Sequence, residues 1–200
     1  MQRDDRDTAA RTIPRHNHDV IRLDLFNARS VAEKSAVIQQ WISDMKLGLV
    51  VVVETWNDDA SSPQPVACVL PGFRYVENAR PRKDNLSMST NHGGVCLLYE
   101  PSLRASHVQL PVFSTFEVVA AYVHRAGFNA AVVVVYRPAS HAVTLSFFDE
   151  FSDLLTTFSA PLMIAGDFNI HADDPTDVHA GKLIDLVWSE LTTERHLADS

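Results

Sequence analysis

Residues 161–175 read PLMIAGDFNIHADDP. Leu162 to Ala165 form an apolar run of the kind that suits a strand buried in a sheet. The run passes without a spacer into Gly166, Asp167, Phe168 and Asn169, then His171, Asp173 and Asp174. A buried strand that ends in a carboxylate and a carboxamide carries ligand-capable oxygens to the rim of its sheet. In α/β folds such strand ends are where loops present functional groups. Asp173 and Asp174 precede Pro175 and read as turn formers. His171 reads as an exposed loop histidine.

Three strands further upstream end in the same way. VIRLDLFN, 20–27, alternates Ile21, Leu23 and Leu25 with more polar neighbours and closes on Asn27. LVVVVE, 49–54, is a β-branched run suited to burial on both faces, and it closes on Glu54. AAVVVVYRP, 130–138, closes on Tyr136 and Arg137. Between the first two strands, RSVAEKSAVIQQWISDMK predicts a helix. Ser30 and Glu33 have the spacing of a capping box, the stripe contains Val31, Ile38, Ile42 and Met45, and Gly48 marks the end. Strand, helix and strand make a parallel crossover.

The stretch 57–93 is rich in turn-forming residues and reads as loop, with one tight basic cluster at Arg80, Arg82 and Lys83. That cluster is either a solvated loop or a phosphate-facing one. Strands are expected at 94–100, 107–112, 116–123 and 130–138, with connections short enough for antiparallel neighbours. An aromatic-striped helix is expected over 142–158, and an amphipathic one over 180–194 with Leu183, Leu186 and Val187 inward. The fold class expected is therefore α/β, two mixed sheets packed face to face with helices outside. Residues 1–19 are polar and mixed in charge and read as a disordered lead-in to a single domain over 20–200.

Bulk properties narrow the partners. The formal net charge is −8 with 21% charged residues, which argues against binding nucleic acid through a dominant basic surface. It leaves room for an enzyme that holds a cation between its carboxylates and a phosphate. Cys68 and Cys96 sit among small and aliphatic neighbours and read as buried thiols. No apolar run is long enough for a membrane span. The N-terminus lacks the apolar segment of a signal peptide, so an intracellular location is expected.

The four strand ends offer Asn27, Glu54, Tyr136, Asp167 and Asn169. Carboxylate and carboxamide oxygens are hard ligands that suit Mg²⁺ or Mn²⁺. A Tyr hydroxyl can donate to a phosphate oxygen, and an Asp can orient a water. The inventory fits metal-assisted hydrolysis of a phosphate ester.

In their order, NARSVAEKSAVI, VVVVETW, HGGVCLLY, VVVVYRP and LMIAGDFNIHADDP resemble the endonuclease/exonuclease/phosphatase superfamily. Within it the resemblance is to the apurinic-type endonuclease domain of non-LTR retrotransposon polyproteins. It runs from about Val20 to the last helix. It implies a DNase I-like four-layer α/β sandwich. It implies Glu54 as principal metal ligand, with Asn27 helping to hold the metal site. It further implies Tyr136 as a contact to the scissile phosphate, Asp167 as the residue that positions the attacking water, and Asn169 as a ligand for phosphate or water. The implied partner is DNA, nicked on one strand in the nucleus to prime reverse transcription, with a reverse transcriptase domain in a longer polyprotein.

The chain departs from the family pattern beyond its last helix, where members add strands bearing an Asp and a Ser-Asp-His motif. His196 follows a helix and lacks that context, so the motif's role is not carried to it. The expectation is a domain lacking its last strands, a fragment or a truncated copy. Two alternatives stay open, an inactive relic of the same fold and a phosphodiesterase or phosphatase acting on a small phosphorylated substrate.

Overall fold

The computed structural model describes residues 20–57, 67–80, 93–159, 161–171, 173–174 and 176–198. The expectation for residues 1–19, and those for Arg82 and Lys83, fall outside them. The elements in chain order are β1 (Leu23–Asn27), α1 (Ser35–Met45), β2 (Leu49–Val53), β3 (Arg74–Asn78), β4 (Val95–Tyr99), β5 (Arg104–Val108), β6 (Glu117–Arg125), β7 (Phe128–Tyr136), α2 (Leu145–Leu155), β8 (Leu162–Asp167) and α3 (Val178–Ala198).

The strands divide into two four-stranded sheets, ordered β1-β2-β4-β3 and β5-β6-β7-β8. β1 and β2 are parallel through α1, which is the expected crossover, and β7 and β8 are parallel through α2. The other pairs are antiparallel. Both sheets are thus mixed.

Side chains alternate along a strand, and here the alternation sorts each strand into an inner and an outer row. Leu49, Val51 and Val53 of β2, Val95 and Leu97 of β4, Val119 and Ala121 of β6, and Val132 and Val134 of β7 meet in one core between the sheets. The opposite row of the first sheet, Val50, Val52, Cys96 and Leu98, packs under Ile38 and Ile42 of α1. The opposite row of the second, Ala120, Ala131, Val133 and Val135, lies under Phe147, Phe151 and Leu154 of α2 and Leu183 of α3. The result is four layers: helix, sheet, sheet, helices. Cys68 and Cys96 are buried free thiols, as expected. No helix among the described residues is long and apolar enough to cross a membrane.

Three local expectations need correction. The stretch read as loop contains β3, an alternating RYVEN segment paired along its whole length with β4. β5 lies at 104–108 rather than 107–112, and much of it is exposed. α1 begins at Ser35 with no side-chain cap. Ser30 is held instead in a left-handed turn (φ 89°), its N–H donating to the Glu54 carbonyl at 2.9 Å, so the capping-box spacing belongs to a chain still running beside β2. The helix ends on Lys46, whose φ of 52° makes the left-handed cap expected nearer Gly48.

One carboxylate ties the β5–β6 connection to α2. Glu150 accepts from the N–H and Oγ of Ser114 and from the N–H and Oγ1 of Thr115, at 2.6–3.1 Å. This holds Phe113 stacked on Phe116, which meets Phe147 and Phe151 edge-on. Burial alone would push the Glu150 carboxyl up, but the Ser114 and Thr115 donors outweigh it and hold the group at about 2. A depressed folded-state value means that stability is present above the ordinary value of 4.5 and lost as the pH falls toward 2. Glu150→Gln is expected to destabilise the domain at pH 7 by roughly 1 kcal/mol, solvent screening included. In thermal melts across pH, the gap between the two proteins closes below about pH 4.

Candidate active site

The alternation that builds the inner core also aims the site. Asn27 shares the inner row of β1 with Leu23 and Leu25, Tyr136 that of β7 with Val132 and Val134, and Asp167 that of β8 with Met163 and Ala165. Tyr136 and Asp167 are register partners across the parallel β7–β8 pair. Three polar side chains on two facing sheets therefore converge at one end of the sandwich. Glu54 is the exception: alternation from Val53 would turn it outward. Its backbone adopts φ 53°, and its carboxylate lies inward instead, with Oε1 accepting from Asn27.

Asn27 joins the two acids. Its Nδ2 donates to Glu54 Oε1 at 2.9 Å and to Asp167 Oδ2 at 3.1 Å. The other Asp167 oxygen, Oδ1, accepts from the Asn169 N–H at 3.1 Å, so both oxygens of that carboxylate are held. Tyr136 is buried and hydrogen-bonds Glu54. Burial, and then the charge and hydrogen bond of Glu54, push its hydroxyl above the ordinary phenol value. Arg80 pulls it back in part, and Asp167 raises it further. Tyr136 is therefore a proton donor at neutral pH. All five residues singled out from the sequence stand together.

A hard divalent cation fits this set. Asn27 Oδ1 is buried and, among the described residues, takes part in no hydrogen bond, although it stands beside two carboxylates. Among the described residues no cluster of three or more His, Cys, Asp and Glu side chains is built for a metal. The residues whose oxygens could hold such a cation are Glu54 and Asn27. Few protein oxygens, with water and substrate phosphate supplying the rest, is the Mg²⁺ manner of binding.

The loop after β8 is set by a residue whose role the sequence left open. The Arg137 side chain is buried, and its guanidinium donates to the carbonyls of Phe168 (2.6 Å), Asn169 (2.7 Å), His141 (2.6 Å) and Pro138 (3.2 Å). Asn169 answers with Nδ2 donating to the Arg137 carbonyl at 2.7 Å, in a left-handed conformation of φ 48°. Arg137 is a clamp for the GDFN turn and not a surface contact for DNA. Gly166 is equally constrained, because a Cβ there would lie 1.9 Å from the Val135 carbonyl oxygen. Asp174 shapes its turn as expected, accepting from the N–H and Oγ1 of Thr176 at 2.8 and 2.7 Å. His171 is exposed on the wall of a cavity of about 570 Å³ that Asp167 and Asn169 also line.

The model of the Endonuclease/Exonuclease/phosphatase family matches residues 21–193. The fold is similar to that of the human Nocturnin catalytic domain with bound sulfate (17% identity, TM-score 0.55, 78% of this chain and 65% of that one). It is similar to the endonuclease domain of TRAS1, a telomere-specific non-LTR retrotransposon (12%, 0.56, 86% and 71%). It is also similar to an AP endonuclease from Archaeoglobus fulgidus (15%, 0.56, 78% and 60%). At these identities the likeness is one of fold. The chain spans about two thirds of the length of these structures. No curated protein sequence matches it.

Replacing Arg137 tests the clamp. Lysine keeps the charge but cannot serve four carbonyls with one planar fork. Each buried carbonyl left unpaired costs about 1–3 kcal/mol. Arg137→Lys is expected to lower Tm by roughly 5–10 °C, at about 2–4 °C per kcal/mol for a domain of this size.

Proposed function

The chain belongs to the endonuclease/exonuclease/phosphatase family, and from that membership we propose that it hydrolyses phosphodiester bonds in DNA with the help of Mg²⁺ or Mn²⁺. The observation that carries the reading is the Glu54–Asn27–Asp167 bridge set beside a protonated Tyr136. It unites hard oxygen ligands, a fixed carboxylate and a neutral donor at one spot, the parts that attack on a phosphate requires.

Each residue has a distinct task. Glu54 and the Oδ1 of Asn27 are the oxygens that would hold a divalent cation. A cation bound there supplies charge stabilisation to the phosphate as negative charge builds in the transition state. Asp167, held through both oxygens, accepts a hydrogen bond from the attacking water and keeps its lone pair on the phosphorus. Tyr136, whose single O–H is given to Glu54 in this structure, would turn it to a non-bridging phosphate oxygen, and its raised value keeps that proton in place at neutral pH. The carboxamide of Asn169 has two N–H donors, of which the Arg137 carbonyl takes one. The other serves the phosphate.

The narrower reading is an endonuclease of the retrotransposon type, acting in the nucleus. It would nick one strand and leave a 3′-hydroxyl to prime a reverse transcriptase borne on a longer polyprotein. The order of the sequence motifs and the likeness of fold to the TRAS1 endonuclease domain support this reading.

The test is conversion of supercoiled plasmid to the open circle. Mg²⁺-dependent nicking is expected, abolished by chelator and by Glu54→Ala. Asp167→Asn is expected to lower the rate by about 10²–10⁴-fold. Mg²⁺ at about ten times its Kd stabilises a protein that binds it by about 1.4 kcal/mol, and this shift in Tm is expected to vanish in Glu54→Ala. A folded chain that neither nicks DNA nor responds to Mg²⁺ refutes the reading.

A further inference from the structure

At the end of β3, Arg80 stands on the far side of Tyr136 from Asp167. Its backbone N–H donates to the Asn57 carbonyl at 3.2 Å, and its guanidinium forms an ion pair with Glu117. Glu117 is the register partner of Tyr136 across β6 and β7, which brings the ion pair to the flank of the catalytic cluster. Its other oxygen accepts from the Gly94 N–H at 2.5 Å. A Cβ at Gly93 would lie 2.4 Å from the Arg80 guanidinium and from Glu117 Oε1, so a larger residue there would displace the pair. Gly93 thus makes room for the pair and Gly94 holds one end of it.

The Glu117 oxygen of this pair is buried and both side chains are mostly so, and the desolvation of such a pair offsets its attraction, so stability alone does not account for this arrangement. Arg80 and Glu117 line a groove of about 290 Å³ that leads away between the β5–β6 connection and the Pro138–His141 turn, with Phe113 on its wall. A guanidinium has five donors in a rigid fork that matches phosphate oxygens.

We propose that Arg80, oriented by Glu117, is a second phosphate subsite that takes the phosphate next in the chain to the one cleaved, with the intervening nucleoside lying in the groove along Phe113. The inference rests on the reading of the chain as a phosphodiesterase and deepens it. It makes the substrate a polynucleotide strand rather than a small phosphorylated molecule. Arg80 is a binding residue here, and Glu117 a positioning one.

Binding and cleavage test it separately. Binding of a fluorescent duplex oligonucleotide is followed by anisotropy at several KCl concentrations, in chelator. Arg80→Gln is expected to weaken binding about tenfold and to reduce the slope of log K against log salt by about 0.9, the share of one phosphate. Arg80→Lys keeps the charge, so the slope is expected to return while only part of the affinity does. In the cleavage arm, the loss of kcat/KM in Arg80→Gln is expected to be about tenfold greater on the oligonucleotide than on thymidine 5′-(p-nitrophenyl phosphate), which has a single diester. Equal loss on both substrates overturns the inference by placing Arg80 at the cleaved phosphate. So does an unchanged salt slope in a variant with parental Tm. A wild-type chain that cleaves neither substrate refutes the phosphodiesterase reading, while the salt slope still decides whether Arg80 binds phosphate.

Discussion

A single carboxamide holds the two halves of the site in register. Asn27 on the first sheet donates through one nitrogen to Glu54 of its own sheet and to Asp167 of the facing one. Without a shared donor or a cation, two acids brought this close would repel each other. The amide is neutral and bidentate, so it brings the acids together without spending a positive charge. The bridge forms only if the sheets pack face to face with their inner rows aligned. The apolar core beneath it, from Leu25 through Val53, Val95 and Val134, is the device that sets the spacing of the acids.

Around this bridge the backbone is bent into conformations that most residues avoid. Of the non-glycine residues with positive φ among the described residues, only Lys46 serves a helix end. Arg29, Ser30, Glu54, Trp56 and Asn169 all follow or close the strands that feed the site. Such conformations persist where the surroundings over-determine them. Here the ladder does so: the N–H groups of Ala28, Ser30 and Val31 donate to the carbonyls of Val53, Glu54 and Thr55 beyond the end of β2. Arg137 does the same for the turn after β8 by gathering carbonyls around one guanidinium. The rigidity of the site is therefore a property of main-chain hydrogen bonds, and the functional side chains ride on it.

What was legible in the sequence follows from what local pattern can encode. Runs such as VVVV have one stable environment, a strand covered on both faces, and the polar residue at the end of each run is conspicuous by contrast. Asn27, Glu54, Tyr136, Asp167 and Asn169 were visible for that reason. β3 was not, because RYVEN is short and flanked by proline, glycine and polar residues, and its strand character comes from pairing with β4. β5 was displaced because an exposed edge strand carries no apolar run. Ser30 and Glu33 imitated a helix start because spacing alone does not reveal a positive φ. The inward carboxylate of Glu54 contradicts simple alternation and becomes clear only once its backbone angle is known. Arg137 and Arg80 look alike as isolated cations, and only burial and partners separate a clamp from a rim residue.

The bridge at Asn27 also sets a timetable. Its partners are 27 and 140 residues further along the chain. At the ribosome's pace of about 5–20 residues per second, the second partner emerges roughly 7–28 s after the amide that will meet it. During that interval the remaining strands of both sheets, β2 to β8, are still being made. Until Asp167 arrives, Asn27 has Glu54 as its one acidic partner. The bridge therefore closes only once β8 has been translated and docked against the first sheet.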